Sequence, residues 1–82
     1  MMTKTKLKWK FRESKDEQVE DHMWESDSRL HVQTSIEKTE HNVVAHLKDG
    51  KFLFFSENFR SAKKAKEFAQ EKFDEDPTRF SL

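Results

Sequence analysis

The sequence predicts an α+β fold, an antiparallel β-meander of about four strands with one C-terminal α-helix packed on one face. Three observations carry this expectation. Apolar residues alternate with polar ones at period two in residues 4–12 and again in 29–37, the signature of half-buried strands. Asp49-Gly50 stands between two apolar runs, a strong short-range hairpin signal. Ala62, Ala65, Phe68, Ala69 and Phe73 then recur at helical spacing behind Ser61, which reads as an N-cap.

Taken in order, residues 4–12 place Leu7, Trp9 and Phe11 on one side and Lys4, Lys6, Lys8, Lys10 and Arg12 on the other, so the first strand has an apolar and a basic face. Residues 13–27 hold seven acidic residues against Lys15 alone. With little besides Val19, Met23 and Trp24 to bury, they predict an acidic loop or a short helical turn, with Trp24 returning to the core. Residues 29–37 form the next strand, Leu30, Val32 and Ile36 opposing His31, Gln33 and Ser35. Residues 42–48 and 51–56 make the hairpin. A two-residue turn there pairs Leu47 with Phe52, His46 with Leu53 and Val44 with Phe55, which places Val44, His46, Leu53 and Phe55 on one face and Ala45, Leu47, Phe52 and Phe54 on the other. The helix covers 61–74, where Asp74-Glu75-Asp76-Pro77 stops it, and the tail 77–82 brings Phe80 and Leu82 back toward the core.

Composition removes several function classes. The 82 residues carry 16 Lys/Arg and 16 Asp/Glu, so no global field draws in nucleic acid or an anionic membrane. Without Cys, disulfides, zinc fingers and thiol catalysis are excluded, in keeping with a cytoplasmic protein. One Gly and one Pro leave no glycine-rich phosphate loop, and no apolar run reaches the roughly 18 residues of a membrane span. Eight Phe and two Trp supply the core of what is expected to be a single small domain spanning residues 1–82, because each ring buries about 150–250 Å². The charge balance is one of separated blocks: residues 1–12 and 42–66 are basic, 13–27 and 67–82 acidic.

Trp24 followed by Ser26-Asp27-Ser28-Arg29, then a strand, a hairpin and Phe59-x-Ser61-Ala62-x-x-Ala65 opening a helix, resembles the small β-meander-plus-helix accessory proteins encoded by phages and prophages. The resemblance covers about two thirds of the chain; it implies a fold and an origin, and carries over no site residue. Lys8-Trp9-Lys10-Phe11 and the run Phe52-Leu53-Phe54-Phe55 bring cold-shock strands to mind, but the glycine-flanked aromatic motif of that family is absent.

Three features point to binding. First, both faces of the hairpin are apolar and one helix covers only one, so the other face, read as Val44, His46, Leu53 and Phe55, needs cover by the chain's own N-terminal segment or tail, with Trp24, Phe80 or Leu82 as the covering residues, by a second copy, or by a protein partner. Second, Arg60, Lys63, Lys64 and Lys66 crowd the helix start and acids its end, against the macrodipole; i,i+4 pairs such as Lys63 with Glu67 and Lys72 with Asp76 are the structural explanation, an anion site the functional one. Third, Lys6, Lys8 and Lys10 either guard a strand edge or contact phosphates. His31 and His46 share the polar side of adjacent strands, but no third ligand accompanies them, so no metal is expected; His22 and His41 read as loop residues. Neither a cofactor, a membrane nor a small-molecule substrate is implied. The expected function is a non-enzymatic protein-interaction module of the accessory or inhibitor type, phage-derived and homodimeric; the alternative is a nucleic-acid-binding module using Arg60, Lys63, Lys64 and Lys66 with Lys6, Lys8 and Lys10.

Overall fold

In a computed structural model, which describes residues 6–13, 21–35 and 37–82, five strands form one antiparallel sheet in the order β1-β2-β3-β4-β5. They are β1 (Trp9–Arg12), β2 (Asp21–Ser26), β3 (Leu30–Ser35), β4 (His41–His46) and β5 (Phe52–Phe59), followed by α1 (Ala62–Glu75) and the short α2 (Pro77–Phe80). The meander and its C-terminal helix agree with the α+β expectation. The expected count of about four strands is close to the five observed; the additional strand is β2, in the segment expected to be an acidic loop or short helical turn, which pairs Trp24 with Phe11 on one side and with Val32 on the other.

Why β2 is a strand follows from its neighbours. His22 and Trp24 point to the helix side, where His22 is buried and Trp24 packs on the core. Met23 and Glu25 point the other way, and Arg12 donates to the Glu25 carboxylate at 2.9 Å. The ladder with β1 and β3 satisfies the backbone that a loop would leave to water. Residues 14–20 of the predicted loop, together with Lys4 and Ile36 of the predicted strands, lie outside the described residues.

The hairpin register differs from the expected one by one residue. Ala45 pairs with Leu53 and His46 with Phe52. The loop holds three residues rather than two: Gly50 donates to the Leu47 carbonyl at 3.0 Å, Leu47 to the Lys51 carbonyl at 2.8 Å, and Asp49 Oδ1 accepts from the Lys51 amide at 3.0 Å. Gly50 sits at φ 85, the left-handed position that closes a type I turn with a bulge, where glycine carries no Cβ penalty. Because side chains alternate, the one-residue slip turns every β5 side chain to the opposite face. Further along, the pairing slips again between Asn42 and Val44.

Leu30, Val32, Val43 and Ala45 are fully buried beneath Ala65 and Ala69, which bring α1 close to the sheet, with Phe73 and Phe80 closing one end. Ser61 caps α1 by accepting from the Lys64 amide at 3.4 Å. The first turn carries no acid and the last turn only Lys72 as a base, so the reversed charge pattern is real; the ion pairs on the helix are Lys64–Glu67 at 3.8 Å and Lys72–Glu75 at 3.6 Å, i,i+3 contacts in place of the expected i,i+4 ones. Asp76 ends α1 and caps α2 through the Arg79 amide at 3.3 Å. Phe80 is held in place, its carbonyl accepting from Arg29 at 2.7 Å, whereas Leu82 is 80% exposed.

Candidate functional site: an open sheet face and a cationic pocket

The sheet has one covered face and one open face. On the covered side lie Trp24, Leu53, Phe55 and Phe59, with Phe68 of α1 against both Phe55, at 5.5 Å between ring centroids, and Phe59, at 5.3 Å. Trp24 and Phe80, expected to cover the second face, pack on this same side. Among the described residues, none covers the second face.

Of the four residues expected to share an interface face, Val44 and His46 are on the open side, while Leu53 and Phe55 pack against the core. Phe52 and Phe54 take their places, 58% and 64% exposed. The rings form a ladder: His46 stacks on Phe52 at 4.5 Å and 19°, and Phe52 on Phe54 at 6.1 Å and 29°. Such large apolar rings left in water are the informative kind of exposure. Toward β1 the same face carries Arg12, Met23 and Glu25, and a shallow concavity of about 380 Å³ runs between the two edges. His31 lies in its floor, with Nδ1 buried and without a hydrogen-bond partner. Burial holds the His31 pKa below its ordinary 6.5, with Glu25 opposing that shift and His46 adding to it.

The basic residues divide between the two faces. Lys10 lies on β1 beside Glu25, its cross-strand partner, and Lys6 and Lys8 are exposed on either side of the buried Leu7. Arg60, Lys63, Lys64 and Lys66 lie at the start of α1, on the covered side. The first strand and the helix start thus do not join into one basic surface.

On the helix side, a pocket of about 340 Å³ is lined by Phe11, Trp24, Thr34, Lys38, His41, Arg60 and Ala62. His41, expected in a loop, begins β4 and is buried, with Nδ1 2.8 Å from Thr34 Oγ1. Burial lowers its pKa, a hydrogen bond with the Lys38 backbone opposes that shift, and the Lys66 charge adds to it. Lys66 has its ammonium 3.2 Å from the Trp24 ring centroid, and burial lowers its pKa as well. The sequence pattern singled out Arg60 and Lys66 as candidate anion ligands at the helix start, but nothing in it pointed to Lys38, Phe11 or His41 beside them.

Among the described residues no three or more His, Cys, Asp or Glu side chains group to hold a metal, and no helix is long and apolar enough to cross a membrane. No known family model, curated protein or solved structure matches the chain.

Proposed function

We propose that the protein is a non-enzymatic protein-interaction module of the accessory type that works through the open sheet face, and that the occupant of this face is a second copy of the chain. The exposed ladder of His46, Phe52 and Phe54 carries this reading. The face is self-complementary. A two-fold axis running along the central strand β3 sets β5 of one copy over β1 of the other; Phe54, level with Val44, His31, Glu25 and Lys10 in the ladder, then lies over the cationic edge, with Arg12 and Met23 one residue pair further along the strands. An Arg paired edge-on with a carboxylate, as Arg12 is with Glu25, still offers its flat face to an aromatic ring, and the Met thioether packs well on ring edges. The unpartnered His31 Nδ1 lies in the central strand, where such an axis would pass.

Strand spacing and rise give the five-stranded face roughly 20 Å by 20 Å, so two copies bury on the order of 800–1,000 Å² in total, which belongs to weak, reversible association. Sedimentation equilibrium over the micromolar to submillimolar range is expected to show a monomer–dimer equilibrium weakened by Arg12→Ala as well as by Phe54→Ser. A strict monomer across that range overturns the reading.

A further inference from the structure

We propose that the pocket between Trp24, His41 and Arg60 binds a phosphate monoester carried on a small planar molecule, a nucleoside monophosphate being the class it fits. Two cations from different elements line it, Lys38 from the β3–β4 turn and Arg60 from the β5–α1 junction, and a third, Lys66 of α1, lies over the Trp24 ring that forms part of its wall. Two of them are positioned by aromatic rings. Lys66 lies over Trp24 at 3.2 Å and Lys38 over Phe11 at 5.3 Å. A ring orients an ammonium without cancelling its charge, so these cations stay available to an anion in a way that salt-bridged ones do not. Among the described residues, the only carboxylate paired with any of the three is Glu13, 4.0 Å from Lys38, with both side chains more than half exposed, a contact that binds weakly.

The turn carrying Lys38 is built at a cost. Lys38 adopts φ 61, a left-handed conformation that favours glycine and disfavours lysine. Its position is held by buried His41, which bonds to Thr34 and to the Lys38 backbone. Backbone strain of this sort concentrates where a side chain has work to do.

The chemistry of the walls selects the ligand. A phosphate monoester presents three terminal oxygens; the Arg60 guanidinium matches two of them as a fork, leaving the third for the Lys38 ammonium. Phe11, Trp24 and Ala62 supply apolar wall for a flat ring. At about 340 Å³ the pocket is at the small end of the ~300–1,000 Å³ range of ligand sites, a fit for one nucleotide unit.

The test is an NMR titration of the full chain with adenosine monophosphate, following the Trp24 indole N–H and the Lys38 and Arg60 amides, with adenosine and inorganic phosphate in parallel. The expected result is saturable binding at submillimolar concentration, with either half of the ligand binding about tenfold more weakly. Arg60→Gln and Lys38→Gly are expected to weaken the monophosphate about tenfold each, and Lys63→Gln, at an exposed position outside the pocket, by less than about twofold. Lys38→Gly relieves the left-handed strain, so its Tm should equal or exceed that of the parent while its binding falls, a combination that general destabilisation does not produce. A 5′-phosphorylated oligonucleotide identifies the source: tighter binding than the mononucleotide assigns the phosphate end of a strand, equal or weaker binding assigns the free nucleotide. Absence of a saturable shift, adenosine or phosphate binding as tightly as the monophosphate, or Lys63→Gln losing as much as Arg60→Gln overturns the proposal.

Discussion

Phe54→Ser and Phe55→Ser, one residue apart on β5, should have opposite consequences. Phe54 is 64% exposed on the open face. With about 150–250 Å² to a ring, roughly 130 Å² remains available to a partner, worth up to about 3 kcal/mol per copy at ~25 cal/mol/Å². If association realises only a third of that in each of two copies, Phe54→Ser weakens the dimer by about 2 kcal/mol, or roughly 30-fold. The smaller part of the ring already covered within the monomer limits its folding cost to about 1.5 kcal/mol. Phe55 instead packs edge-on against Phe68 at 5.5 Å. Losing its half-buried ring together with that aromatic pair costs about 3 kcal/mol, a fall in Tm of roughly 12–24 °C for a domain of this size. Sedimentation equilibrium and thermal unfolding by circular dichroism, run below the dimer Kd so that folding is read on the monomer, separate the two effects. Should Phe55→Ser abolish association with Tm intact while Phe54→Ser unfolds the chain, the register argument is wrong, since a one-residue slip is what exchanges their roles.

Further outcomes follow from the same geometry. Gly50→Ala should cost about 1 kcal/mol from its left-handed φ alone, since an added Cβ meets nothing within 4 Å, and Gly50→Asn should cost less because Asn tolerates that region; denaturant unfolding measures both, and equal costs would refute the assigned turn. Thr34→Val leaves buried His41 without its side-chain partner and should destabilise by about 1–3 kcal/mol, read from the same unfolding curves. His31 and His41 both have pKa values lowered by burial from 6.5, so below that value the unfolded chain binds more protons than the folded one. Stability should therefore be fully present above about pH 6.5 and decline as the pH falls from there through the two folded-state values. In His41→Gln the slope in that window should be shallower; an unchanged slope would remove His41 from the account.

The parts of the fold legible in the sequence were those with one strong period and one buried side. Ala65, Ala69 and Phe73 repeat at four-residue spacing and line the buried face of α1; Leu30 and Val32 alternate with His31 and Gln33 as expected. β2 was hidden because only Trp24 marks its inward face as apolar, its inward neighbour being His22, and because the acids around it read as loop. The register error has a different origin. Asp-Gly announces a turn but suits both a two-residue loop and a three-residue one with Gly in the last place, and alternation normally decides between them. Phe52, Leu53, Phe54 and Phe55 are apolar without interruption, so either register buries two of them, and the choice is made by Phe68 and the length of α1 rather than by the hairpin.

That uninterrupted run is also what links fold to binding. A strand at a sheet edge with one covered face would ordinarily alternate apolar and polar residues, and a strand with apolar residues on both faces belongs between two layers. β5 has the composition of a two-layer strand, and among the described residues a single layer, α1, packs against it. The first half of β4 carries polar Asn42 outward, and β1 and β2 place charges outward at Lys10, Arg12 and Glu25 around the half-buried Met23; the exposed large apolar side chains of the face are Phe52 and Phe54, beside His46. A general failure to cover the sheet would spread apolar residues across all five strands. Concentration of exposed rings at one edge, opposite a cationic edge on the same face, marks a surface of defined chemistry, and it is the pairing of those two edges that favours a second copy of the chain as the missing layer.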